Sequence, residues 1–334
     1  MPMIQTTKQI EVSVVVISFN TRDLLRECLT TLAATSADVS YELIVVDNAS
    51  RDDSAAMVAL EFPEAKLIRS EVNLGFGGAN NLGFAAATGR YVVLLNSDAF
   101  LKVGTLRKSI DLMDSHPQVG LAGAKLIGRD DSLQPSARMF PNILQDFLIL
   151  SGLADRYSKS RFFGRGDRTW ADPNKPAEVD WVPGAFGIIR REALERTGFF
   201  DPRFFLYYEE VDLCKRIKQA GYSIWYWPEL EVVHIGGESS KTLSHLSLSS
   251  AGSQLTLWRM RSALLFYRKH HGLRGAWLAM KMEQLWHQLR SRKNFSSTDA
   301  DRRAKATESQ SIANLMRQAW LETERGLTSP PQPW

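Results

Sequence analysis

Three short runs constrain this chain more than anything else in it. Val12–Phe19 (VSVVVISF), Tyr41–Val46 (YELIVV) and Tyr91–Leu95 (YVVLL) are rich in β-branched residues and almost continuously apolar. A strand with one wet face alternates apolar and polar residues. A strand apolar at both parities must be covered on both faces, as inside a parallel sheet flanked by helices. Helical patterns lie between the runs. Leu24, Leu25, Cys28, Leu29 and Leu32 recur at helical spacing, Ser50-Arg51-Asp52-Asp53 reads as a capping box, and Ala79–Ala87 is a small-residue helix after a short strand at Lys66–Arg69. The order is βαβαβ, so an α/β protein around a mainly parallel sheet is expected.

The rest of the chain is less regular. Arg156–Pro176 has no period and reads as a long mobile loop. Trp181–Arg190, Ile224–Trp227 and Glu231–Ile235 read as strands, and Val211–Ala220 as a helix. After about Ser239 only helical pattern remains, running through Leu255–Leu289. A polar linker is expected over Ser296–Ser311, a last helix at Ile312–Leu321 and a frayed PPQPW tail. The expected division is 1–245 for the α/β domain and 246–334 for a helical extension.

With 334 residues, 44% of them hydrophobic and 23% charged, the chain can bury a core without staples. Its two cysteines, Cys28 and Cys214, sit in helical apolar patterns, which excludes a disulfide framework and a cysteine zinc site. No run approaches the ~18–20 apolar residues of a membrane span, and MPMIQTTKQIEV has no signal core. The expectation is a cytoplasmic protein that does not span a membrane. The net charge of +4 is unevenly placed: Arg259–Lys293 holds nine Lys and Arg against one acid, Glu283.

In open α/β sheets, ligands bind beyond the carboxyl ends of the strands. Three such ends here carry polar groups: Ser18-Phe19-Asn20, Asp47-Asn48-Ala49-Ser50 and Asn96-Ser97-Asp98. One Asn or Asp at a strand end is an ordinary turn former. Three in succession on one edge point to a ligand. The stretch Asn73–Gly83 (NLGFGGANNLG) lacks the last glycine of a dinucleotide fingerprint and follows the wrong strand for it. It also lacks the Gly-Lys-Ser/Thr of a phosphate loop. What remains is a loop whose backbone can approach a ligand, or a plain helix start.

Phe204–Lys215 (FFLYYEEVDLCK) sets Glu209, Glu210 and Asp212 beside aromatics. Three acids in four positions repel unless a cation or a proton relieves them. Two readings stay open here. One is a general base whose pKa is raised by its apolar surroundings, the other a helix start stabilised by acids through its dipole. His234, after an apolar strand, serves structure as readily as ligation. If Asp98 lies within reach, the pair can hold a hard divalent ion, with diphosphate oxygens completing the shell.

Taken in order, VVVISFN, LIVVDNASRDDS, NLGFGGANNLG and GRYVVLLNSDA resemble the inverting family 2 glycosyltransferases of GT-A fold. The block WVPGAFGIIRREALERTGFFDPRFFLYYEEVDLCKRIKQAGY, with VVHIGGES after it, resembles their rhamnosyltransferase-like branch. The likeness runs from about Glu11 to Ser240.

The resemblance implies roles by position. Ser18, Phe19 and Asn20 would border the nucleobase. Asp47 would accept the pyrimidine N3–H, with Asn48 beside it. Asn73, Gly75 and the residues up to Asn80 would lie under the nucleoside and diphosphate. Asn96-Ser97-Asp98 stands at the DXD position with Asn for the first Asp, so Asp98 would be the main carboxylate to a Mg2+ or Mn2+ ion. His234 would be its second ligand. Glu210 falls at the general-base position, where Asp is more usual, and Glu209 is the alternative. Asp212 would orient its neighbours. Trp181, Gly184 and Ala185 match the segment lining the acceptor.

The implied activity is inverting transfer of a sugar from a nucleoside-diphosphate sugar. The implied donor is dTDP-L-rhamnose, and the acceptor a glycan or polyprenyl-diphosphate-linked saccharide of the cell envelope. Another hexose, UDP-galactofuranose and a non-catalytic nucleotide-sugar-binding relative are the alternatives. A nucleotidyltransferase would want a basic Gly-rich loop near the N-terminus, which is absent.

In the C-terminal segment Trp258, Leu265, Trp277, Met280, Leu285 and Trp286 alternate with Arg259, Arg261, Arg268, Lys269, Arg274, Lys281 and Arg290. Such a pattern suits an anionic membrane surface at the inner face of the cell membrane, or a helical hairpin packed on the α/β domain. No nucleic-acid-binding motif accompanies the charge, so no such partner is expected.

Overall fold

The computed structural model describes residues 10–236 and 252–330. Its first four strands are β1 (Val12–Ser18), β2 (Tyr41–Asp47), β3 (Lys66–Arg69) and β4 (Tyr91–Asn96), alternating with α1 (Arg22–Thr35), α2 (Ser54–Glu61) and α3 (Gly75–Ala86). They pair in parallel in the order β3-β2-β1-β4. β1 is buried on both faces, as its unbroken apolar run requires. Val12, Val14 and Val16 join α1 residues Leu25, Leu29 and Leu32 in one core, while Val15 joins Ala79 and Phe84 of α3 in the other. Each fully buried valine contributes ~1.5–3 kcal/mol relative to exposure.

The second half of the sheet is mixed. Its strands are β5 (Ala99–Leu101), β6 (Val119–Ile127), β7 (Leu133–Gln134), β8 (Ala177–Val179), β9 (Phe186–Arg190) and β10 (Ser223–His234). β9 begins beside the end of β4, where Asn96 N donates to Ala185 O (3.1 Å), and so runs back against it. β6 runs antiparallel to β9, and β10 parallel to β6. The expected parallel sheet therefore holds for the first four strands, and antiparallel pairing prevails beyond them. The functional consequence is local. The chain turns at Ser97-Asp98, and β5 leaves to pair with β10, setting Ala99 opposite His234.

Helices α4 (Thr105–Ser115), α5 (Ile143–Leu150), α6 (Leu153–Arg156), α7 (Arg191–Thr197) and α8 (Glu209–Gln219) complete the α/β unit. Both cysteines are free and buried. Several sequence expectations need correction. The capping box does not form: α2 starts at Ser54, with Asp52 Oδ1 accepting from Ser54 N at 3.2 Å. The glycines of 75–78 lie inside α3, which starts four residues earlier than expected. The two late strands are one, β10, whose register shifts between Trp227 and Glu231, around Pro228. Residues 156–176 are irregular but tied down: Met139 N donates to Gly166 O (2.9 Å) and Tyr226 Oη to Pro173 O (2.6 Å).

At the C-terminus α9 (Gly252–Phe295) is broken at Gly272 (φ 70°, ψ −175°), and α10 (Ala300–Glu322) packs back on both halves. The linker expected over 296–311 is thus mostly helix. Its buried face is made of small residues, Ala306, Ser309 and Ala313, which give no apolar period. The expected boundary at 245/246 lies outside the described residues, as do Gly237, Ser239 and Ser240 of the late motif and the last four residues of the tail.

The helices dock on the α/β unit through Leu265 and Phe266, which pack with Phe204 and Val211. Trp258, Leu265 and Met280, expected at a membrane surface, are therefore buried, and only Trp277 and Leu285 of the six apolar residues are exposed. Arg259, Arg261 and Lys269 are paired with Glu283, Glu322 and the Asp201–Asp212 pair. Among the described residues no helix is long and apolar enough to cross a membrane.

Candidate active site

The carboxyl ends of β1, β2 and β4 lie side by side because register forces them to: Ser18 pairs with Asp47, and Ile17 with Asn96. Asn20 (φ 53°) and Ala49 (φ 67°) turn the chain outward in the left-handed region just beyond. Asn20 N donates to Ser50 Oγ (3.0 Å), and Asn20 Oδ1 accepts from Arg51 N (2.7 Å). Buried Ser18 and Ser97 join through Thr21, whose hydroxyl lies 3.4 Å from Ser18 Oγ and 2.9 Å from Ser97 Oγ. Phe19 is half-buried at the same edge. Asp47 is the exception in this bonded set. It is buried, its Oδ2 accepts from Ser50 N at 3.3 Å, and its Oδ1 has no partner. A buried acceptor without a donor is costly unless a ligand supplies one.

Asn48 and Asn73 hold the start of α3. Asn48 Nδ2 donates to Asn73 Oδ1 (2.9 Å), Asn48 Oδ1 accepts from Leu74 N (2.8 Å), and Asn73 Oδ1 also accepts from Gly75 N (2.9 Å). Gly75 has φ 72°, and a Cβ there would sit 2.0 Å from Phe205 O, so only glycine fits. Phe76 N then donates to Phe205 O (2.9 Å), tying α3 to the segment that leads into α8. Asn80 is buried and donates to Phe76 O within its own helix.

The β5–β10 pairing brings the two expected metal ligands together. Asp98 Oδ1 lies 3.5 Å from His234 Nε2. His234 Nδ1 is 2.8 Å from Gln134 Oε1, which leaves Nε2 as the ring nitrogen that faces Asp98. Asp98 Oδ2 accepts from Gly236 N (3.1 Å). One carboxylate and one imidazole oriented in this way fit a divalent ion that takes its other ligands from a diphosphate. Among the described residues no group of three or more His, Cys, Asp or Glu gathers elsewhere to rival the pair.

Two tyrosines in succession, Tyr207 (φ 71°) and Tyr208 (φ 67°), are left-handed immediately before Glu209. Such residues cost about 1–3 kcal/mol each and persist only where surroundings over-determine them. Here Ser262 Oγ donates to Leu206 O (2.8 Å), and Tyr208 packs on Phe266 at 5.5 Å between ring centres. The turn delivers Glu209, Glu210 and Asp212 onto the first turn of α8 with different surroundings. Burial, then the Glu210 charge, pushes Glu209 well above the usual carboxylate range. Burial also raises Glu210, while backbone amides and the Arg138 charge pull the other way. Each has one carboxyl oxygen, Oε2, without a partner. Of the two, Glu210 alone lines the neighbouring cavity.

Asp212 is fully buried and relieved by cations. It accepts from Arg216 Nε (2.8 Å), Lys269 Nζ (2.9 Å) and His270 Nε2 (2.7 Å), and its pKa is lowered despite burial. The repulsion foreseen for three adjacent acids is thus met by proton affinity at two of them and by counter-charge at the third. Lys269 also donates to Asp201 Oδ2 (2.8 Å), itself held by Arg203 and well below the usual range.

Glu210 opens into a cavity of about 440 Å³, which Trp181 also lines. Trp181 Nε1 donates to Met139 O (3.0 Å), and Arg138 stacks on its ring at 4.9 Å. Gly184 sits where a Cβ would come 2.9 Å from Phe76 Cζ, and Ala185 is buried with its carbonyl on Asn96. Of the three expected acceptor residues, Trp181 alone reaches the cavity. Sequence reasoning missed Gln134, Arg138, Asn81, Lys269 and His270. Asn81 bonds Phe200 twice, through Nδ2 to O and from N to Oδ1, both at 2.9 Å. Asn81 lies within the Asn73–Gly83 motif; the others carry no local signal, because their partners are far away in sequence, as between His270 and Asp212 (58 residues).

Comparison with known proteins bears on this geometry. Residues 13–198 match the family model for Glycosyl transferase family 2. Over 253 residues, 70% of this chain and 80% of the relative, the chain is 30% identical to the N-acetylglucosaminyl-diphospho-decaprenol L-rhamnosyltransferase of Mycobacterium tuberculosis. Over 241 residues, 69% of this chain and 86% of the relative, it is 27% identical to rhamnosyltransferase WbbL of Escherichia coli K12. The fold resembles that of the mannosyltransferase PcManGT from Pyrobaculum calidifontis, solved with GDP-Man and Mn2+ (TM-score 0.52, 17% identity, 94% of this chain and 88% of that one). It also resembles GalNAc-T7, solved with UDP, GalNAc and Mn2+ (TM-score 0.53, 14% identity, 96% of this chain and 59% of that one). At such identities the structural likeness shows the GT-A fold alone. The family model and the two sequence relatives carry the assignment further: this chain belongs to glycosyltransferase family 2, in its rhamnosyltransferase-like branch.

Proposed function

We propose that the protein is a metal-dependent, inverting hexosyltransferase that moves L-rhamnose from dTDP-L-rhamnose to a polyprenyl-diphosphate-linked saccharide in cell-envelope glycan synthesis. The observation that carries this reading is the Asp98–His234 pair, 3.5 Å apart beside the strand ends. The rhamnosyl donor and an N-acetylglucosaminyl-diphospho-polyprenol acceptor are supported by the mycobacterial relative named for that reaction.

In this mechanism Asp47 Oδ1 accepts the N3–H of the thymine, which gives the orphaned oxygen its donor. Ser18, Phe19 and Asn20 border the base. Asn48 and Asn73 hold the start of α3 under the diphosphate. Asp98 and His234 would hold a Mg2+ or Mn2+ ion. Bound there, the ion supplies positive charge against the charge that grows on the leaving diphosphate. Glu210 takes the proton from the acceptor hydroxyl as that oxygen attacks the anomeric carbon from the face opposite the leaving group. Glu209 stands beside Glu210, its carboxyl raised well above the usual range by burial and then by the Glu210 charge. Asp212 is a positioning residue that fixes α8 against α9. Trp181 offers an aromatic face to the acceptor, while Gly184 and Ala185 pack behind it, away from the cavity.

We further place the enzyme at the inner face of the membrane. The exposed apolar residues of the second half of α9 are Leu273, Trp277, Leu278, Leu285, Leu289 and Phe295, with exposed Arg274 and Lys281 among them. Trp and Leu suit the headgroup boundary and the basic residues suit anionic lipid. Residues 1–245 act as the catalytic domain and 246–334 as the extension that carries this face.

A panel of nucleoside-diphosphate sugars, each with and without Mn2+, tests the reading by thermal shift and by release of nucleoside diphosphate. Stabilisation by dTDP-L-rhamnose that requires the metal is expected. Stabilisation only by a UDP- or GDP-sugar would replace the donor, and release of pyrophosphate would replace the reaction.

A further inference from the structure

The cavity beside Glu210 is walled on its far side by the C-terminal helices, and the groups lining that side are not those of a packing gap. Gaps between helices are apolar and dry. Here Gln145 is buried, with Nε2 donating to Phe162 O (3.0 Å) and Oε1 without a partner. Asp146, next to it on α5, accepts from Tyr267 Oη (2.5 Å). Across the cavity, half-exposed Arg259 donates to the buried carboxylate of Glu283 at Oε1 (2.7 Å). Each such group costs free energy where it stands.

The set has a common chemical sense. Two acceptor oxygens without donors, Gln145 Oε1 and Glu210 Oε2, belong to residues lining one cavity, which also holds a carboxylate and an aromatic ring, Trp181. A sugar ring supplies several hydroxyl donors on its edges and an apolar face for an aromatic. The cavity volume of about 440 Å³ lies within the ~300–1,000 Å³ usual for small-ligand sites.

We propose that this cavity is the acceptor-saccharide subsite, that Gln145 and Asp146 bind acceptor hydroxyls other than the one attacked, and that the C-terminal helices thereby select the acceptor. The inference rests on the glycosyltransferase reading and adds residues to it. Gln145 accepts a hydroxyl hydrogen at Oε1. Asp146, with Tyr267 on one oxygen, has the other for a second hydroxyl. The Arg259–Glu283 pair closes the polar end. α9 then has two duties: its first half lines the cavity, and its second half carries the exposed Leu and Trp residues.

The test uses the full-length protein and an N-acetylglucosaminyl-diphospho-prenol with a short prenyl chain. Binding is measured by calorimetry without donor, and acceptor KM is measured with dTDP-L-rhamnose and Mn2+. Gln145→Leu and Asp146→Asn should each weaken acceptor binding and raise acceptor KM about tenfold or more, as expected when a buried partner of a hydroxyl is removed. Met282→Trp, which fills the cavity from α9, should weaken binding further. Binding of dTDP by the same variants, held within twofold of wild type, reports that the fold survives. Unchanged acceptor binding in the first two variants would overturn the proposal, as would equal loss of dTDP and acceptor binding. A wild-type protein that binds none of the acceptor overturns it too; metal-dependent hydrolysis of dTDP-L-rhamnose by that protein would show that the glycosyltransferase reading outlives it.

Discussion

The two sides of α8 are built by different physics. On the strand-end side, position follows from backbone. Register aligns Ser18, Asp47 and Asn96, and short-range turns orient the residues just beyond them. On the helical side, position follows from side chains meeting over long separations, as where Lys269 and His270 reach Asp212. A backbone-built side tolerates surface change and fails only when a ligand atom is lost. A side built on buried ion pairs fails when one charge is removed or titrated. Glu210 belongs to both, since its helix is fixed by Asp212 while its carboxyl opens into the cavity.

The largest expected effect is on the backbone-built side. Asp98→Asn removes the carboxylate from the metal pair and should lower turnover by at least ~10³-fold, the scale of a lost metal charge. Chelation with EDTA should do the same to the wild type, while circular dichroism stays unchanged. Full activity in EDTA would remove the metal from the account. Next in size is the base. Glu210→Gln should cost ~10²–10⁴-fold in kcat, and Glu209→Gln much less. If the two variants exchange these results, the assignment moves by one residue.

The pH profile sharpens that distinction. A base must be ionised to act, and burial raises Glu210, so kcat should rise with pH through a half-point above the ordinary ~4.3 of a glutamate. The Arg138 charge opposes that rise. Arg138→Gln should therefore move the half-point to higher pH, and a shift downward would contradict the assignment.

On the other side, Asp212→Ala leaves the Arg216 and Lys269 charges and the His270 ring around a missing carboxylate and should cost ~3–5 kcal/mol, read by denaturant unfolding. Acid should mimic it. Asp201 and Asp212 are both held below the usual range, so their stabilisation is present above the unfolded value of ~3.9 and is lost as pH falls below it. The loss should be smaller in a protein that already carries Asp212→Ala. The smallest stability effect, within ~0.5 kcal/mol, belongs to the exposed pair Trp277→Ser and Leu285→Ser. Those two changes should still reduce flotation with anionic liposomes, and unaltered flotation would remove the membrane face from α9.

The same contrast explains what the sequence reveals. Val12–Phe19, Tyr41–Val46 and Tyr91–Leu95 announce buried parallel strands because both parities are apolar, and the polar residues after them lie side by side at the carboxyl edge. β6 carries no such run, since Gly120 and Gly123 stand where a Cβ would meet Tyr222 at 2.7 Å and Val182 at 2.6 Å. α10 hides for a similar reason, its buried face being mostly alanine and serine. The Asp98–His234 pair could be named from sequence, but its closeness depends on β5 crossing to β10, which no local pattern encodes. The C-terminal helices read as one amphipathic surface with basic residues. Which apolar residues turn inward depends on the break at Gly272 and on partners in α5 and α8, so Trp258 and Trp277 look alike in sequence and differ in burial.

In the proposed mechanism one carboxyl, Glu210, joins a donor side to an acceptor side for inverting transfer. Proton NMR of the product formed from dTDP-L-rhamnose, Mn2+ and the prenyl-linked acceptor tests it most directly, with dTDP measured in the same tube. The account predicts one dTDP per linkage formed, an anomeric configuration opposite to the donor's, and near-total loss of both signals in Glu210→Gln. A product that keeps the donor's configuration, or a Glu210→Gln enzyme that matches the wild type, would contradict it.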